Sequence, residues 1–523
     1  MKELLKKKIA FIKAHPRIDI AFLVVGLAIF ATITLFNVSR ASFWFDESFG
    51  IYLIQFNFLE IAQFTSTDVH PPLFYWLLKV WGMLFGSTEL ALRSMSIVLG
   101  AGVIVAAFML TRRLFGRLAA DVALLFLILS PMLIRYSDEA RMYTLASLIV
   151  VGATYVLLKA TETNQRRWFV IYGILVALGM WTHYFTALIW IAHWVWRAVI
   201  IKRSTTKSNL FAKKFFSKNW IIAHVIAIAL YLPWIPFMLI QFTTVQGGFW
   251  IGPVSSDTLM NYFTNIFYYL EHGQAQGWAA LLLLGVLGLL IVLTPKVYKA
   301  LNRTDKKSYL LITTTALIPI AVLFILSLPP LKLLFVERYL IPAAIVFAIF
   351  AAVTIVIGTR KWRPILRILP VVIIAGMMIF GITNVYKYGN YNKNSNTHIL
   401  TRELIEDITA TTEPGVPIVA NSPWIFYEAV GYTTEDHPVY FIDANTQYIY
   451  GSLDMLKYRD QNKIKDFEAF KKQHPVIWYI GVTGDEDVPA YQKSWQKQRT
   501  IALYDYLSNK TEYRGTLYQV SAE

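Results

Sequence analysis

Residues 94–111 read SMSIVLGAGVIVAAFMLT, a run without a charged residue, and Arg112-Arg113 follow it directly. A helix that crosses the ~30 Å hydrocarbon core of a bilayer needs about 20 mostly apolar residues. The cytoplasmic ends of such helices carry an excess of Lys and Arg. The stretch is therefore typical of a membrane-spanning helix that ends on the cytoplasmic side.

Ten further apolar runs resemble this one. Of the 523 residues, 56% are hydrophobic and only 16% are charged, whereas about 25% are charged in soluble domains. We predict spans near 20–38, 94–111, 119–135, 143–159, 168–182, 185–200, 220–240, 277–294, 308–328, 339–357 and 368–384. The chain is thus expected to be a polytopic α-helical membrane protein with about eleven spans. The first span is expected to remain in the protein and not to be cleaved off as a signal peptide.

Charge placement orients these spans. With the N-terminus inside, the cytoplasmic segments hold 27 Lys and Arg, and the external loops between spans hold seven. This asymmetry follows the positive-inside rule. The net charge of +16 therefore reports topology and not a nucleic-acid partner. We expect a multi-pass protein of the plasma (cell inner) membrane. Because Cys is absent, thiolate metal sites and a Cys nucleophile are excluded.

The chain divides into two predicted domains. Residues 1–384 form a transmembrane domain with two long external loops, 39–93 and 241–276. The first loop contains the short apolar stretches Ile51 to Phe64 and Leu73 to Phe85, which suit amphipathic helices on the membrane surface. Residues 385–523 contain 14 Lys and Arg and 18 Asp and Glu. That composition is typical of a soluble, extracytoplasmic segment.

Strand and helix patterns alternate in this C-terminal segment. The strand candidates are Pro417 to Ala420, Val439 to Ile442 and Val476 to Val482, and the helix candidates are 397–411 and 454–473. Alternation of this kind predicts a small α/β domain.

The first candidate site follows the first span. Trp44-Phe45-Asp46-Glu47-Ser48-Phe49-Gly50 sets two adjacent carboxylates among aromatic side chains. A carboxylate beside lipid and ring faces loses hydration, which raises its pKa and makes it a better general base. The pair equally suits a helix N-terminus with a solvated neighbour. Asp46 and Glu47 are thus candidate catalytic residues.

Two more external motifs carry charge. In Asp68-Val69-His70-Pro71-Pro72-Leu73 the prolines begin a helix and hold Asp68 and His70 at its entry, although a simple polar helix start would look the same. Arg135-Tyr136-Ser137-Asp138-Glu139-Ala140-Arg141-Met142-Tyr143 fills the next external loop. Two acids and two arginines between spans favour function, with mutual ion pairing as the alternative.

The remaining candidates also fall on external helix ends. They are His183, Tyr184, Trp250, Lys332, Arg338 and Tyr339. Lys332 and Arg338 suit a phosphate, and the guanidinium fork makes Arg338 the stronger candidate because it can bind two oxygens. Aromatic belts at the membrane interface explain Trp and Tyr equally well.

The order of these motifs resembles the membrane-embedded C-type glycosyltransferases over roughly residues 20–384. Phe45-Asp46-Glu47 with Asp68 to Leu73 is similar to the protein O-mannosyltransferases. Pro71-Pro72-Leu73, with Glu89 and Arg93 downstream, is similar to the bacterial aminoarabinose transferases and other family 39 enzymes.

The resemblance implies transfer of a sugar, with inversion, from a polyprenyl-phosphate donor to a glycan, lipid or protein acceptor on the external face. It assigns Asp46 as the general base and gives Glu47 a role in holding the acceptor. The leaving phosphate would need positive charge only, supplied by Arg141 and Arg338 with Lys332 or His70.

The resemblance leaves metal dependence open. Asp138 is a further catalytic candidate, and Asp46, Asp138 or Glu139 would be the ligands of any divalent ion; no other cofactor is implied. Two departures argue against aminoarabinose transfer to lipid A. Ser48-Phe49 stand where those enzymes have an Arg, and His70 stands where they have a Lys.

Two other functions remain open from the sequence. A transporter or flippase of a lipid-linked substrate usually carries ionisable residues or broken helices near the bilayer midplane, whereas the acids here cluster at helix ends. A non-catalytic membrane scaffold, with the C-terminal domain as its binding part, is the third option.

Overall fold

The structure is a computed structural model that describes most of the chain. The described residues are 16–39, 41–204, 208–246, 254–270, 277–330, 335–388, 400–442, 462–482, 495–504 and 512–520. Of the predicted site residues, Trp250 and Lys332 lie outside them. The described chain is helical up to residue 388 and then forms a mixed sheet with flanking helices.

The described residues between 16 and 163 form eight helices. These are α1 (Pro16–Asn37), α2 (Phe45–Leu53), α3 (Phe58–Ser66), α4 (Leu73–Phe85), α5 (Glu89–Phe115), α6 (Arg117–Ile128), α7 (Pro131–Ser137) and α8 (Tyr143–Thr163). The three short helices α2, α3 and α4 carry the motifs of the loop 39–93. The observed bounds of α4 are those of the predicted surface helix.

Ten helices follow before the sheet. They are α9 (Arg166–Thr182), α10 (Thr186–Lys202), α11 (Ser208–Phe215), α12 (Lys218–Tyr231), α13 (Ile235–Gln246), α14 (Thr258–Phe267), α15 (Gly277–Ala300), α16 (Arg303–Ser327), α17 (Ile341–Gly358) and α18 (Pro364–Tyr388). Short 3₁₀ turns at Leu232–Trp234 and Glu337–Leu340 precede α13 and α17. Every apolar run predicted to span the membrane overlaps one or two of these helices over most of its length.

The multi-pass membrane architecture is confirmed, while the number of spans stays a prediction. Within the described residues, seven helices are long and apolar enough to cross a membrane, or eight if α6 and α7 form one bent span. Helices α9 and α10 have 17 residues each. The axes of α6 and α7 differ by 55°, because Ser130 and Pro131 end one helix and begin the next.

Helix α17 forms the centre of the bundle. The helix is apolar on all sides, and 89% of its most apolar stretch is buried inside the protein. This is expected for a helix with neighbours all around it. It packs against α6, α8, α15 and α16. By contrast, α12 and α15 expose apolar side chains such as Val225 and Ile291, which suits helices that face lipid.

The C-terminal region contains a six-stranded sheet. Its elements are α19 (Thr401–Thr411), β1 (Ile418–Ala420), α20 (Pro423–Ala429), β2 (Val439–Ile442), β3 (Lys463–Ile464), α21 (Phe467–Gln473), β4 (Val476–Val482), β5 (Gln496–Tyr504) and β6 (Glu512–Gln519). The strand order is β3-β2-β1-β4-β6-β5. The first four strands in that order pair in parallel, whereas β5 and β6 are antiparallel. The predicted α/β character is confirmed.

Candidate active site

Asp46 lies between two arginines that come from distant parts of the chain. Its Oδ2 is 3.4 Å from a terminal nitrogen of Arg338 and 3.9 Å from one of Arg141. The side chain of Asp46 keeps 19% of its surface exposed, whereas those of Arg141 and Arg338 keep 3% and 10%. A partly accessible carboxylate therefore faces two nearly buried positive charges.

The turn between α7 and α8 positions Arg141. The backbone N–H of Arg141 donates to the carbonyl of Glu139 at 2.7 Å, which closes the turn. Its guanidinium then donates to the backbone carbonyl of Asp46 at 3.0 Å and to the hydroxyl of Tyr75 at 3.1 Å. Arg141 thus ties this turn to the first residues of α2.

The 3₁₀ turn before α17 positions Arg338. Its guanidinium stacks over the ring of Trp44 at 5.8 Å, an arrangement that attracts a cation to the ring face. The adjacent Glu337 accepts a hydrogen bond from Asn265 of α14. Two contacts from different elements therefore hold the segment that carries Arg338.

Glu47 is in a different environment from its neighbour. Its carboxylate accepts hydrogen bonds from Nε and Nη2 of Arg93 at 2.8 and 2.7 Å, and from the backbone N–H of Ala140 at 2.8 Å. Both side chains of this ion pair are 0% exposed. Arg93 also donates to the carbonyls of Val38 and Ala41. These contacts join α1, α2, α5 and the turn before α8.

Glu139 is also enclosed. It accepts hydrogen bonds from Arg135 at 2.8 Å and from the indole of Trp44 at 3.1 Å. Burial raises the pKa of Glu139, and the nearby Arg135 opposes that shift. The alternative of mutual ion pairing thus describes Arg135 and Glu139 well. The neighbouring Asp138 is 1% exposed, and its charge interacts with Arg93 and Tyr386.

Two histidines complete one wall of the site. Nδ1 of His70 lies 3.4 Å from Asp68, and the ring of His70 lies 5.8 Å from that of His183. Burial lowers the pKa of His70, and the charge of Arg141 lowers it further against the opposing contact with Asp68. The ring of Tyr339 packs on His183 at 4.9 Å.

Three buried polar atoms around Asp46 have no hydrogen-bond partner among the described residues. They are Nε of Arg141, the hydroxyl of Tyr143 and Nε2 of His183. Burial lowers the pKa of His183 well below its ordinary value, and the N–H of Phe185 donates to its Nδ1 at 3.3 Å. The neutral ring therefore carries its proton on Nε2. Buried groups without partners are rare in native proteins, and a ligand would satisfy these three.

The remaining predicted residues are placed elsewhere. Tyr184 donates to Gln241 and accepts from Trp234, which links the turn between α9 and α10 to α13. The sequence left metal dependence open. Within the described ranges, no three His, Asp or Glu side chains form a group that could hold a metal ion. The carboxylate of Glu139 is instead engaged by an arginine and an indole.

Sequence reasoning gave no role to several residues that contribute to this site, in both parts of the chain. Tyr75, Arg93 and Tyr143 stand in or beside the motifs singled out from the sequence but carried no assigned role. The hydroxyl of Tyr432 accepts from the N–H of Phe43, just before Asp46, and the ring of Tyr427 lies 6.2 Å from that of Phe45, yet no local motif marks either residue. Only the tertiary structure brings them to the site.

Known proteins resemble this chain in sequence and in fold. Residues 69–237 match the family described as dolichyl-phosphate-mannose-protein mannosyltransferase. The apo crystal structure of ArnT from Cupriavidus metallidurans superposes with a TM-score of 0.61 at 13% identity, covering 95% of this chain and 97% of that one. The chain has the fold of the C-type membrane glycosyltransferases. No curated protein sequence matches the chain.

A second solved structure has the same fold. ArnT from Cupriavidus metallidurans bound to undecaprenyl phosphate superposes with a TM-score of 0.55 at 13% identity, covering 96% of this chain and 98% of that chain. The predicted resemblance to C-type glycosyltransferases, the predicted fold class and the predicted enzyme class, a glycosyltransferase, are confirmed by these matches.

Proposed function

We propose that the protein transfers a sugar from a polyprenyl-phosphate donor to a hydroxyl acceptor, with Asp46 as the general base. The observation that carries the proposal is the position of Asp46 between Arg141 and Arg338. One partly exposed carboxylate beside two buried guanidiniums supplies a proton acceptor and a phosphate site within a few ångströms. The undecaprenyl phosphate of the similar ArnT structure suggests the class of donor.

The reaction can be written with these residues alone. The acceptor oxygen forms a bond to the anomeric carbon while the bond from that carbon to the phosphate oxygen breaks. The acceptor proton passes to Asp46, and the polyprenyl phosphate leaves as an anion. Attack from the face opposite the phosphate inverts the anomeric centre. Preorganised positive charge at the leaving oxygen stabilises the negative charge that develops there, and such stabilisation is usually the largest single contribution to catalysis.

The arginines have different roles before and after the donor binds. In the unliganded site they neutralise Asp46. A phosphate that takes both guanidiniums would leave the carboxylate oxygens of Asp46 available to accept a proton. His183 Nε2 and the hydroxyl of Tyr143 would then donate to the phosphate or to sugar oxygens, because neither has a hydrogen-bond partner in the part of the chain that the structure describes. His70 and Tyr339 line the same wall.

Glu47 has a positioning role in this proposal and does not bind the acceptor. Its oxygens already accept from Arg93 and Ala140, and the side chain is fully buried. This differs from the role that the family resemblance implied for it. Asp138 likewise is buried among helices and is proposed as a structural acid rather than a base.

We also propose the placement of the protein in the cell. The N-terminus lies in the cytoplasm, the membrane is the plasma membrane, and residues 385–523 form an extracytoplasmic domain that follows the transmembrane domain 1–384. Loop charge supports this orientation. The acceptor is then a glycan, lipid or protein outside the cytoplasm.

Binding of undecaprenyl phosphate to the purified protein in nanodiscs tests the phosphate site. Arg338→Ala should weaken binding at least tenfold, because a charge-assisted contact is lost. Arg166→Ala, an exposed arginine at the start of α9, is the matched control and should bind like the wild type. Equal binding by all three proteins would contradict the site. Movement of labelled lipid across the bilayer, without any sugar transfer, would favour the flippase alternative.

A further inference from the structure

Ser42 and Phe43 lead into α2, the helix that carries Asp46, and residues of the C-terminal region contact both of them. The backbone N–H of Phe43 donates to the hydroxyl of Tyr432 at 2.8 Å. The backbone N–H of Arg402 donates to the hydroxyl of Ser42 at 3.0 Å. These hydrogen bonds join residues 389 and 360 positions apart. The C-terminal region therefore reaches the chain just before the proposed general base.

Tyr432 has contacts that fix both its ring and its hydroxyl. The ring stacks on that of Phe43, with the centroids 6.0 Å apart and the planes inclined by 23°. The hydroxyl donates to the carboxylate of Glu89 at 2.8 Å. Because a hydroxyl has one proton and two lone pairs, this donation leaves an acceptor site for the N–H of Phe43. The hydroxyl cannot rotate away from Phe43 without losing its bond to Glu89.

Glu89, at the start of α5, also binds a second side chain of the C-terminal region. The carboxylate oxygen that accepts from Tyr432 accepts from Arg402 at 2.8 Å as well. The other terminal nitrogen of Arg402 donates to Glu403 at 2.6 Å, and the hydroxyl of Ser42 donates to Glu403 at 3.1 Å. Hydrogen bonds between charged groups are stronger than neutral ones. Glu89 thus holds the C-terminal region against the transmembrane domain.

Ser42 and Phe43 also contact the buried ion pair of Arg93 and Glu47. The carbonyl of Ser42 accepts from Nη2 of Arg93 at 3.1 Å, and the guanidinium of Arg93 lies 5.1 Å over the ring of Phe43. The segment is therefore held by the C-terminal region and by this ion pair together. Because Phe43 precedes Asp46 by only three residues, a displacement of Phe43 would move the first turn of α2 and its carboxylate.

We propose that Tyr432 is a positioning residue, whose hydroxyl holds the backbone of Phe43 and thereby sets the place of Asp46. The inference rests on the proposed function and deepens it, because it makes the C-terminal region a part of the catalytic unit. Tyr432 does not itself touch the reacting atoms. Misplacing a catalytic group by about 1 Å can lower a rate about 10²-fold, so one hydrogen bond to this backbone has a measurable effect.

Tyr432→Phe tests this role in the full-length protein in nanodiscs. The substitution keeps the ring that stacks on Phe43 and removes the hydroxyl, so that the N–H of Phe43 loses its acceptor. Tyr440→Phe, at a half-buried tyrosine of β2, is the matched control. The first readout is amide hydrogen exchange of the peptide 42–50.

The second readout is kcat and KM of sugar transfer, with the best of a panel of undecaprenyl-phosphate-linked hexoses and pentoses as the donor. The value of kcat is normalised to the number of undecaprenyl-phosphate sites in each preparation. Partial unfolding of a variant then does not lower it, whereas a displaced general base does.

We expect Tyr432→Phe to speed exchange in the peptide 42–50 and to lower kcat at least about tenfold, with KM for the donor changed by less than about twofold. Tyr440→Phe should match the wild type in both readouts. Unchanged exchange in Tyr432→Phe would overturn the hold on Phe43, and faster exchange with unchanged kcat would overturn the positioning role. If the wild type transfers sugar from no donor, the proposed function fails, while exchange still decides whether Tyr432 holds Phe43.

Discussion

Asp46 and Glu47 are adjacent in sequence and yet have different surroundings. The helix that begins at Phe45 turns the two side chains to different faces. One faces the site between two arginines and keeps 19% of its surface exposed, whereas the other is 0% exposed and paired with Arg93. The sequence therefore marked this pair as a candidate site but could not distinguish the surroundings of its two members, since the difference depends on Arg93 and Ala140.

The buried ion pair predicts a large stability difference at the residue scale. Glu47→Gln leaves the charge of Arg93 buried without its partner, which costs about 3–5 kcal/mol when a buried pair is broken. Glu162→Gln is the control and breaks an ion pair at the surface. The side chain of Glu162 is 34% exposed and that of its partner Arg113 is 33% exposed, and such surface pairs contribute about 0–1 kcal/mol. Thermal unfolding in detergent compares the two. Equal melting temperatures for both variants would show that the Glu47 pair is not structural.

Helix positions were largely predictable from the sequence, because long apolar runs must satisfy their backbone internally in a bilayer. The bounds of α4 were predicted from its apolar stretch, and the observed β2 and β4 coincide with two predicted strands. The bend between α6 and α7 was not predicted. Both halves are apolar, so hydrophobicity alone does not reveal the break at Ser130-Pro131.

Close approach of α9 and α12 gives a prediction at the scale of elements. A Cβ at Gly173 would overlap the carbonyl oxygen of Ala223 on the neighbouring helix, and small residues allow such contacts between membrane helices. Gly173→Ala should therefore destabilise by about 1–3 kcal/mol, the usual effect of overpacking.

Gly152→Ala is the control for this helix contact. Nothing lies within 4 Å of a Cβ built at Gly152, so the substitution should leave the melting temperature unchanged or raise it slightly through helix propensity. Melting temperatures in the same detergent are compared. A Gly173→Ala protein as stable as Gly152→Ala would contradict the observed contact.

The burial of Glu428 predicts a pH-dependent stability. Burial raises the pKa of Glu428 to about 7, and the hydrogen bond from Thr401 opposes the shift. An acid with a raised folded-state pKa holds its proton more tightly when folded, so stability falls as pH rises from the unfolded value toward 7 and is level above it. Each pKa unit corresponds to about 1.4 kcal/mol.

Glu428→Gln removes this titration. The melting temperature of the wild type should therefore fall relative to that of Glu428→Gln between pH 5 and pH 7, and the difference should be constant above that range. The helices packed against that of Glu428 also carry charged groups, namely Asp46 and Glu47 on α2 and Arg402 and Glu403 on α19. A difference that does not change with pH would show that Glu428 does not titrate in this range.

At the scale of the whole molecule, the sequence predicted two parts but not how they join. Charge and hydropathy separate a transmembrane part from a polar C-terminal segment. The contacts of Glu89 with Arg402 and Tyr432 depend on tertiary packing between residues more than 300 positions apart. Such pairs carry no local periodicity, so single-sequence reasoning had no signal for them.

The absence of Cys allows a direct test of orientation. Lys214→Cys on α11 and Glu435→Cys in the C-terminal region place single thiols at exposed positions. The test uses cells whose plasma membrane is intact and whose outer envelope admits the reagent. A membrane-impermeant maleimide should then label Glu435→Cys directly, and should label Lys214→Cys only after the plasma membrane has been permeabilised. Labelling of both thiols from the same side would rule out the proposed topology.

The rate of sugar transfer by Asp46→Asn is the most direct test of the account. Asparagine keeps the size of the side chain but accepts no proton, so transfer should fall by about 10² to 10⁴, the contribution of general-base catalysis. Binding of undecaprenyl phosphate should remain within a few fold of the wild type. Asp257→Asn, an exposed acid before α14, should be fully active. Transfer by Asp46→Asn at close to the wild-type rate would contradict the assignment of Asp46 as the general base.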